Sequence, residues 1–373
     1  MLSKKKSFLV WLIAGIFLRG NGTAQYHIIH NELREIDNSA GTLQLSLARE
    51  WGGEGETDEY KFFNAPTDLA VDKDGNIYIL EGTNIRVFDK SGKFIRRIGG
   101  PGQGPGDLLG AYILEIDSKG NLVINDSGNQ RIQILNSEGQ YQGSIPLTID
   151  PRSPLLVTKN DEILMYNGRH SNDPVSFWQF FDYQGRLLRE RGKRERHPTE
   201  RAARFYSAFA IAEDQNGNVY SAGMYRPLIR KYSPGGDMRI EISYELPFEV
   251  PEIKPFRRAE GEFIAHERVC WAMDVDDRGR IYVLSPTRLM NLEERKIGYV
   301  IYNGSETIKL KANVDPAVSD LYQILVFSPS GKILAATRLN THATKIKIFK
   351  DRLFLIDRDI NMRILEYRIQ FIE

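Results

Sequence analysis

One pattern recurs five times along this chain. An alternating apolar run reaches a polar turn built around glycine, and a second apolar run follows. The copies are Leu69–Leu80 (LAVDKDGNIYIL), Ile113–Ile124 (ILEIDSKGNLVI), Phe209–Tyr220 (FAIAEDQNGNVY), Ala272–Val283 (AMDVDDRGRIYV) and Ile324–Leu334 (ILVFSPSGKIL). Such recurrence constrains architecture more than any single residue does, because a unit too small to bury its own faces must stack on its neighbours. Pro66–Gly99 reads strand, DKDGN turn, strand, GTN loop, strand, KSGK turn, strand, and Asp107–Ile145 repeats that order. Four short strands joined by tight turns make one blade of a β-propeller.

Counting the first turn of each unit predicts six blades. Gly75, Gly120, Gly217 and Gly279 mark four of these turns, while Asn160–Asp161 and Lys350–Asp351 take the same place in two units without the glycine. These turns need positive φ, which glycine adopts at no steric cost. DKDGN has the look of a calcium loop, but Thr83 stands where the twelfth-position glutamate belongs, so the hairpin reading holds. The sixth unit reaches Glu373 with only three strands, and Thr42–Trp51 (TLQLSLAREW) alternates as a fourth strand should. The expected fold is therefore all-β: a six-bladed propeller of four-stranded antiparallel blades over residues 42–373, its last blade closed by the N-terminal strand.

The first residues differ in kind. Lys4, Lys5 and Lys6 precede the apolar run Phe8–Leu18, and Gly20, Gly22, Thr23 and Ala24 follow. That order predicts a signal peptide over residues 1–24, an N-terminal extension over 25–41, and an exported protein in a bacterial periplasm or secreted. The apolar run is about half the ~20 residues that span a bilayer, so a retained anchor is the lesser reading. A formal net charge of +1 argues against nucleic acid as a partner. Cys270 is the single cysteine, which excludes an internal disulfide and any CxxC motif, and its apolar flank predicts a buried thiol.

Strand direction sorts the connections onto two faces. All the short glycine turns fall on one, the bottom. The interblade connections and those between second and third strands fall on the other, the top. The long segments Glu190–Phe205, Pro247–Val269 and Ser285–Asp320 all belong to the top, and the last has room for its own hairpin (GYVIYN, TIKLK). Long loops on a rigid scaffold commonly carry recognition, so the site is expected at the top mouth of the central channel.

Leu122–Leu135 (LVINDSGNQRIQIL) carries Asp126, Asn129 and Arg131 in a strand–Asp–x–x–Asn–x–Arg–strand order. Glu81, Asn84 and Arg86 stand in the corresponding places of the first unit, and Asp357, Asn361 and Arg363 in or near those of the sixth. On these residues the chain resembles the NHL-repeat and related TolB-like six-bladed propellers, across nearly all of 42–373 as architecture but in only two or three units as motif. The resemblance implies a fold; functions among such propellers run from protein binding to hydrolysis and lyase chemistry. Asp126 and Arg131 are either binding residues or bonds between blades.

Arg186–Arg204 is the most basic stretch, and with Arg257, Arg258 and Arg268 in the next top-face segment it points to an anionic ligand or acidic partner surface, Arg194, Arg196 and Arg201 being its centre. A solvated loop of internal Glu–Arg pairs is the bland alternative. His170, His197, His266 and His342 fall in top-face segments, and His266 with His342 is the candidate pair for a metal, without HxH or HxxxH spacing. Gluconolactonase-like propellers suggest a second metal set, for which Asn64, Asp68 and Glu115 could be enlisted. The aromatic strand around Phe177, Trp178, Phe180, Phe181 and Tyr183 is expected to pack between blades rather than to form a carbohydrate platform.

The leading expectation is a non-catalytic binding module that engages a partner protein, an anionic small ligand or a glycan through its top-face loops, with no cofactor. The alternative is a hydrolase or lyase that uses a divalent metal, zinc or calcium, at the channel mouth.

Overall fold

The computed structural model describes residues 26–32, 42–53, 56–147, 153–166, 178–191, 208–251, 254–258, 261–265, 267–291, 294, 300–303, 306–309 and 319–372. Two strands precede the first repeat, β1 (His27–Asn31) and β2 (Thr42–Gly52). Blade one is β3 (Asp68–Val71), β4 (Ile77–Leu80), β5 (Ile85–Phe88) and β6 (Phe94–Ile98). Blade two is β7 (Ala111–Ile116), β8 (Leu122–Asp126), β9 (Arg131–Leu135) and β10 (Tyr141–Pro146). Blade three is β11 (Leu155–Val157), β12 (Ile163–Tyr166), β13 (Trp178–Phe181) and β14 (Leu187–Arg191). Blade four is β15 (Phe209–Glu213), β16 (Val219–Gly223), β17 (Leu228–Tyr232) and β18 (Met238–Tyr244). A hairpin, β19 (Lys254–Arg258) with β20 (Gly261–Ala265), precedes blade five. Blade five is β21 (Ala272–Val275), β22 (Ile281–Pro286), β25 (Tyr322–Phe327) and β26 (Ile333–Arg338), with the hairpin β23 (Val300–Asn303) and β24 (Glu306–Lys309) inserted midway. Blade six is β27 (Lys345–Phe349), β28 (Arg352–Asp357) and β29 (Arg363–Ile372), completed by β2.

The expected closure is present. β2 pairs antiparallel with β29 from Thr42↔Ile372 to Gly52↔Arg363, so residues near both ends of the described chain share one sheet. The N-terminal extension holds an element the sequence reading leaves out. β1 adds a fifth strand, parallel, to the outer edge of blade four. Asn31 ends it as a buried clamp, its side chain donating to the Gly331 carbonyl at 3.0 Å and accepting from the Ile333 amide at 2.8 Å in blade five. The predicted leader, residues 1–24, lies outside the described residues. Among those described, no helix is long and apolar enough to cross a membrane.

Turn chemistry follows the sequence closely. Asp72 accepts the amides of Asp74 and Asn76, both at 2.9 Å, and Asp117, Asp214 and Asp276 repeat this in their own blades. An aspartate that satisfies its own turn in this way is an Asx motif, which leaves its carboxylate little to offer an ion. In the two turns without glycine, Asp161 and Lys350 take the positive φ themselves, at 56° and 58°. Both turn types lie on one face, as expected: a side chain at Gly75 would meet Lys90, at Gly217 Pro234, and at Gly279 Pro329.

Among the described residues, six apolar clusters fill the six interblade interfaces. The aromatic strand of blade three behaves as predicted, with Trp178 and Phe180 buried against Val219 and Tyr232 of blade four. Cys270 is buried between blades four and five, and burial pushes its thiol up to about 12. Trp51 of β2 sits in the interface between blades six and one, fully buried, with Phe88 at 6.0 Å between ring centroids. Trp51→Ala should cost about 3–5 kcal/mol of stability, as for other buried large-to-small aromatic changes. Urea unfolding of the variant checks this, and a loss below ~1 kcal/mol would show that blade six does not need its N-terminal strand.

Candidate functional site

The first strand of each blade, β3, β7, β11, β15, β21 and β27, lines a central cavity of about 1140 Å³. Innermost strands are sheet edges, so their inward amides lack a ladder partner. Carboxylates meet part of that need. Asp68 of blade one accepts the Leu114 amide of blade two at 3.1 Å, and Asp274 of blade five accepts the Ile348 amide of blade six at 2.6 Å. Each aspartate thus ties its blade to the next around the channel.

Two lysines from β27 answer these acids. Lys345 Nζ lies 2.9 Å from Asp68 Oδ1, and Lys347 Nζ lies 3.9 Å from Glu115 Oε2. Glu115, Asp68 and Asp274 all act on Lys347 and hold its ammonium above the ordinary lysine range. Burial pushes the Glu115 carboxyl up to about 7; Asp68 and Asp274 add to the shift, and Lys347 and Lys345 oppose it. At the bottom of the channel burial likewise pushes Glu213 up to about 7, where it accepts the Lys159 amide at 2.7 Å. The top mouth is made by Thr67, Tyr112, Tyr225, Arg268, Trp271 and Arg358, from five blades or their connections.

This arrangement answers the sequence-level candidates one by one. Asp126 and Arg131 bond to each other at 2.9 Å, and Arg131 also donates to the carbonyls of Gln103, Gly104 and Asp107. Asp126 further accepts the Leu109 amide and the Asn129 side chain. These contacts hold the glycine-rich loop before blade two. The acid–arginine pair recurs as Glu81 with Arg86 at 2.8 Å, and the full trio as Asp357 with Arg363 and Asn361. Arg194, Arg196, Arg201, His170, His197 and His266 lie outside the described residues. Arg257 and Arg258 lie on β19. His342 is buried, edge-on to Tyr322 with ring centroids 6.0 Å apart.

Among the described residues no three His, Cys, Asp or Glu side chains could hold an ion together, and the His266–His342 pair lies partly outside them. Asp68 and Glu115 do share the channel, but each faces an ammonium group. Asn64 stands apart from them, exposed, with its amide on Glu81. A divalent cation beside Lys345 and Lys347 meets like-charge repulsion in a partly desolvated site. The donor set does not fit a metal there.

Sequence reasoning passed over Lys345, Lys347, Asp274, Trp271 and Arg358, whereas Arg268 was among the basic residues it placed on the top face. A signal was present for some of them. KIKIF in β27 puts two lysines on one face of a short strand, and ILEID and AMDVD each put an acid on that same inner face. Only the ring shows that these faces converge.

The geometry has a pH consequence. Glu115 prefers its neutral form in the folded protein, so its contribution to stability is full below the unfolded value of 4.5 and is lost as pH rises through about 7. Glu115→Gln is neutral at every pH. Relative to wild type it should gain on the order of 3 kcal/mol as pH climbs from 4.5 to 8. Denaturant unfolding at several pH values checks this, and a difference that stays flat across that window would contradict it.

The family DUF5128, described as 6-bladed beta-propeller, matches residues 56–269. Among solved structures, a DUF4221 member from Bacteroides vulgatus is 10% identical with a TM-score of 0.59, over 89% of this chain and 99% of that one. A Bacteroides fragilis protein described as exported is 12% identical with a TM-score of 0.55, over 93% of this chain and 100% of that one. Virginiamycin B lyase from Staphylococcus aureus is 13% identical with a TM-score of 0.47, over 87% of this chain and 99% of that one. At these identities the likeness is one of fold.

Proposed function

Because this chain belongs to the DUF5128 family of six-bladed β-propellers, we propose that it is a binding module that takes a small ligand into the top mouth of its central channel. The observation that carries this reading is the channel itself: a cavity of about 1140 Å³ with a mouth that joins two guanidinium groups to aromatic rings. Its interior charges are already matched to one another or to backbone amides. A site so satisfied is rigid, which favours binding to a preformed shape.

The alternative, hydrolysis or lyase chemistry, draws on Glu115. A carboxyl pushed up to about 7 in a cavity has the character of a general acid or base. Catalysis also needs a nucleophile or a set of donors aimed at developing charge. The one thiol, Cys270, is buried with its pKa raised. We therefore place binding first.

Export belongs to the same reading. Its support is the lysine-led apolar segment Phe8–Leu18 and the likeness to a protein described as exported. Kinship with NHL-repeat propellers is a finer proposal, supported by the acid–asparagine–arginine trios of blades two and six and the Glu81–Arg86 pair of blade one.

Native mass spectrometry of the full chain with a defined mixture of amino acids, organic acids, sugars and nucleosides tests the function. A non-covalent adduct should form, and its small molecule should be recovered unchanged. Ala208 lines the cavity just before β15, and Ala208→Trp, which places an indole there, should abolish the adduct while leaving the β-sheet circular dichroism intact. An adduct that survives the plug would move the site out of the channel, and recovery of a converted product would establish the enzymatic alternative.

A further inference from the structure

The geometry points to an oxyanion site at the channel mouth, formed by Arg268 and Arg358, so that the ligand entering the channel carries a carboxylate or phosphate group. This rests on the channel being the binding site and adds the chemical class of what enters it.

The cations along the channel divide into two kinds. Lys345 is committed to Asp68 at 2.9 Å, Lys347 is held by Glu115 and its acidic neighbours, and Lys159 donates to Gln215 at 2.8 Å. Arg268 and Arg358 line the same cavity, and among the described residues neither makes a hydrogen bond or an ion pair. Arginine presents a planar fork of five donors and stays charged at every accessible pH. Two such forks left unspent at the rim of a cavity are donors without acceptors.

Arg268 is pre-positioned. Its guanidinium lies over the Trp271 ring at 4.7 Å, Trp271 meets Tyr322 edge-on at 5.7 Å, and Tyr322 in turn meets the buried His342. Stacking on an indole fixes the guanidinium plane and partly dehydrates its face, while the N–H edges stay available in that plane. A donor held in place by a packed aromatic column loses little freedom when an anion arrives.

Arg358 follows β28 of blade six, so the two guanidiniums come from adjacent blades. The carboxylate next to it in β28, Asp357, is engaged by Arg363 and by Asn361 and is not free to neutralise it. Asp359 feels both Arg358 and Arg268, which places the three groups within electrostatic reach of one another. Among the described residues that line this arc of the cavity, two guanidiniums stand against one carboxylate, a net positive charge. Deeper in the channel the acids outnumber the lysines, which favours an anionic group that stays at the rim while the rest of the ligand points inward.

The test uses the full chain labelled with nitrogen-15 and follows the arginine Nε–Hε signals during titration with acetate and, separately, with inorganic phosphate, at constant ionic strength. Arg268→Lys and Arg358→Lys assign the two signals by their loss. Both signals should shift saturably while other arginines do not, and whichever anion saturates at the lower concentration identifies the group. Arg358→Gln should weaken that anion at least about 10-fold, as expected for a lost charge-assisted contact. Arg268→Lys, which keeps the charge and loses the fork, should weaken it less. Linear, non-saturating shifts, or saturation unchanged in Arg358→Gln, would overturn the anion site. Acetate and phosphate reach the rim whether or not the channel is plugged, so a failure here is separate from the outcome of the Ala208→Trp adduct measurement.

Discussion

The ladder between β2 and β29 joins the ends of the ring, and the other interblade contacts depend on it. A propeller blade buries both faces only when it has a neighbour on each side. Without β2, blade six would expose a long outer edge and lose Trp51 from its interface with blade one. The ladder also brings Arg49 beside Glu366, at 3.2 Å, while Arg352 holds the other oxygen of that buried carboxylate at 2.7 Å. Arg352 reaches on to the Gly75 carbonyl and Arg49 to that of Lys90, both in blade one. A carboxylate buried between two arginines costs much if one partner is removed, so it fixes the register of closure as well as strengthening it.

The same economy of contacts shapes the two rims. At the bottom, each Asx turn closes on itself, and a row of short, locally satisfied turns has little left for a ligand. At the top, the connections are long or tie one blade to the next, and unspent donors collect there. Arg131 shows the limit of this rule, since its donors go to the glycine-rich loop before blade two. An arginine near the rim becomes a candidate for recognition only when the loops around it have not already claimed it. Arg268 and Arg358 meet that condition.

Within the channel, charges of opposite sign are interleaved around the ring. Lys345 and Lys347 come from blade six, while their acidic partners come from blades one, two and five. The channel is thus another place where the ring is fastened, and the raised Glu115 carboxyl reflects crowding by Asp68 and Asp274 in addition to burial. That coupling makes the channel wall sensitive to pH near neutrality.

What the sequence determined by itself is the repeat. The four-strand unit, the number of blades, the closing strand Thr42–Trp51, the sorting of short turns to one face and the hairpin within Ser285–Asp320 are all local or periodic signals, written in alternation and turn residues. Asp161 and Lys350 show that even the turns without glycine could be placed, because period compensates for a missing residue. Tertiary structure alone decided which charged side chains meet. Asp68 and Lys345 are far apart in sequence, as are Arg268 and Arg358, and no spacing rule links them. The parallel pairing of β1 with blade four was hidden for the same reason: a five-residue strand has no repeat to announce it, and its partner edge exists only once the ring has formed.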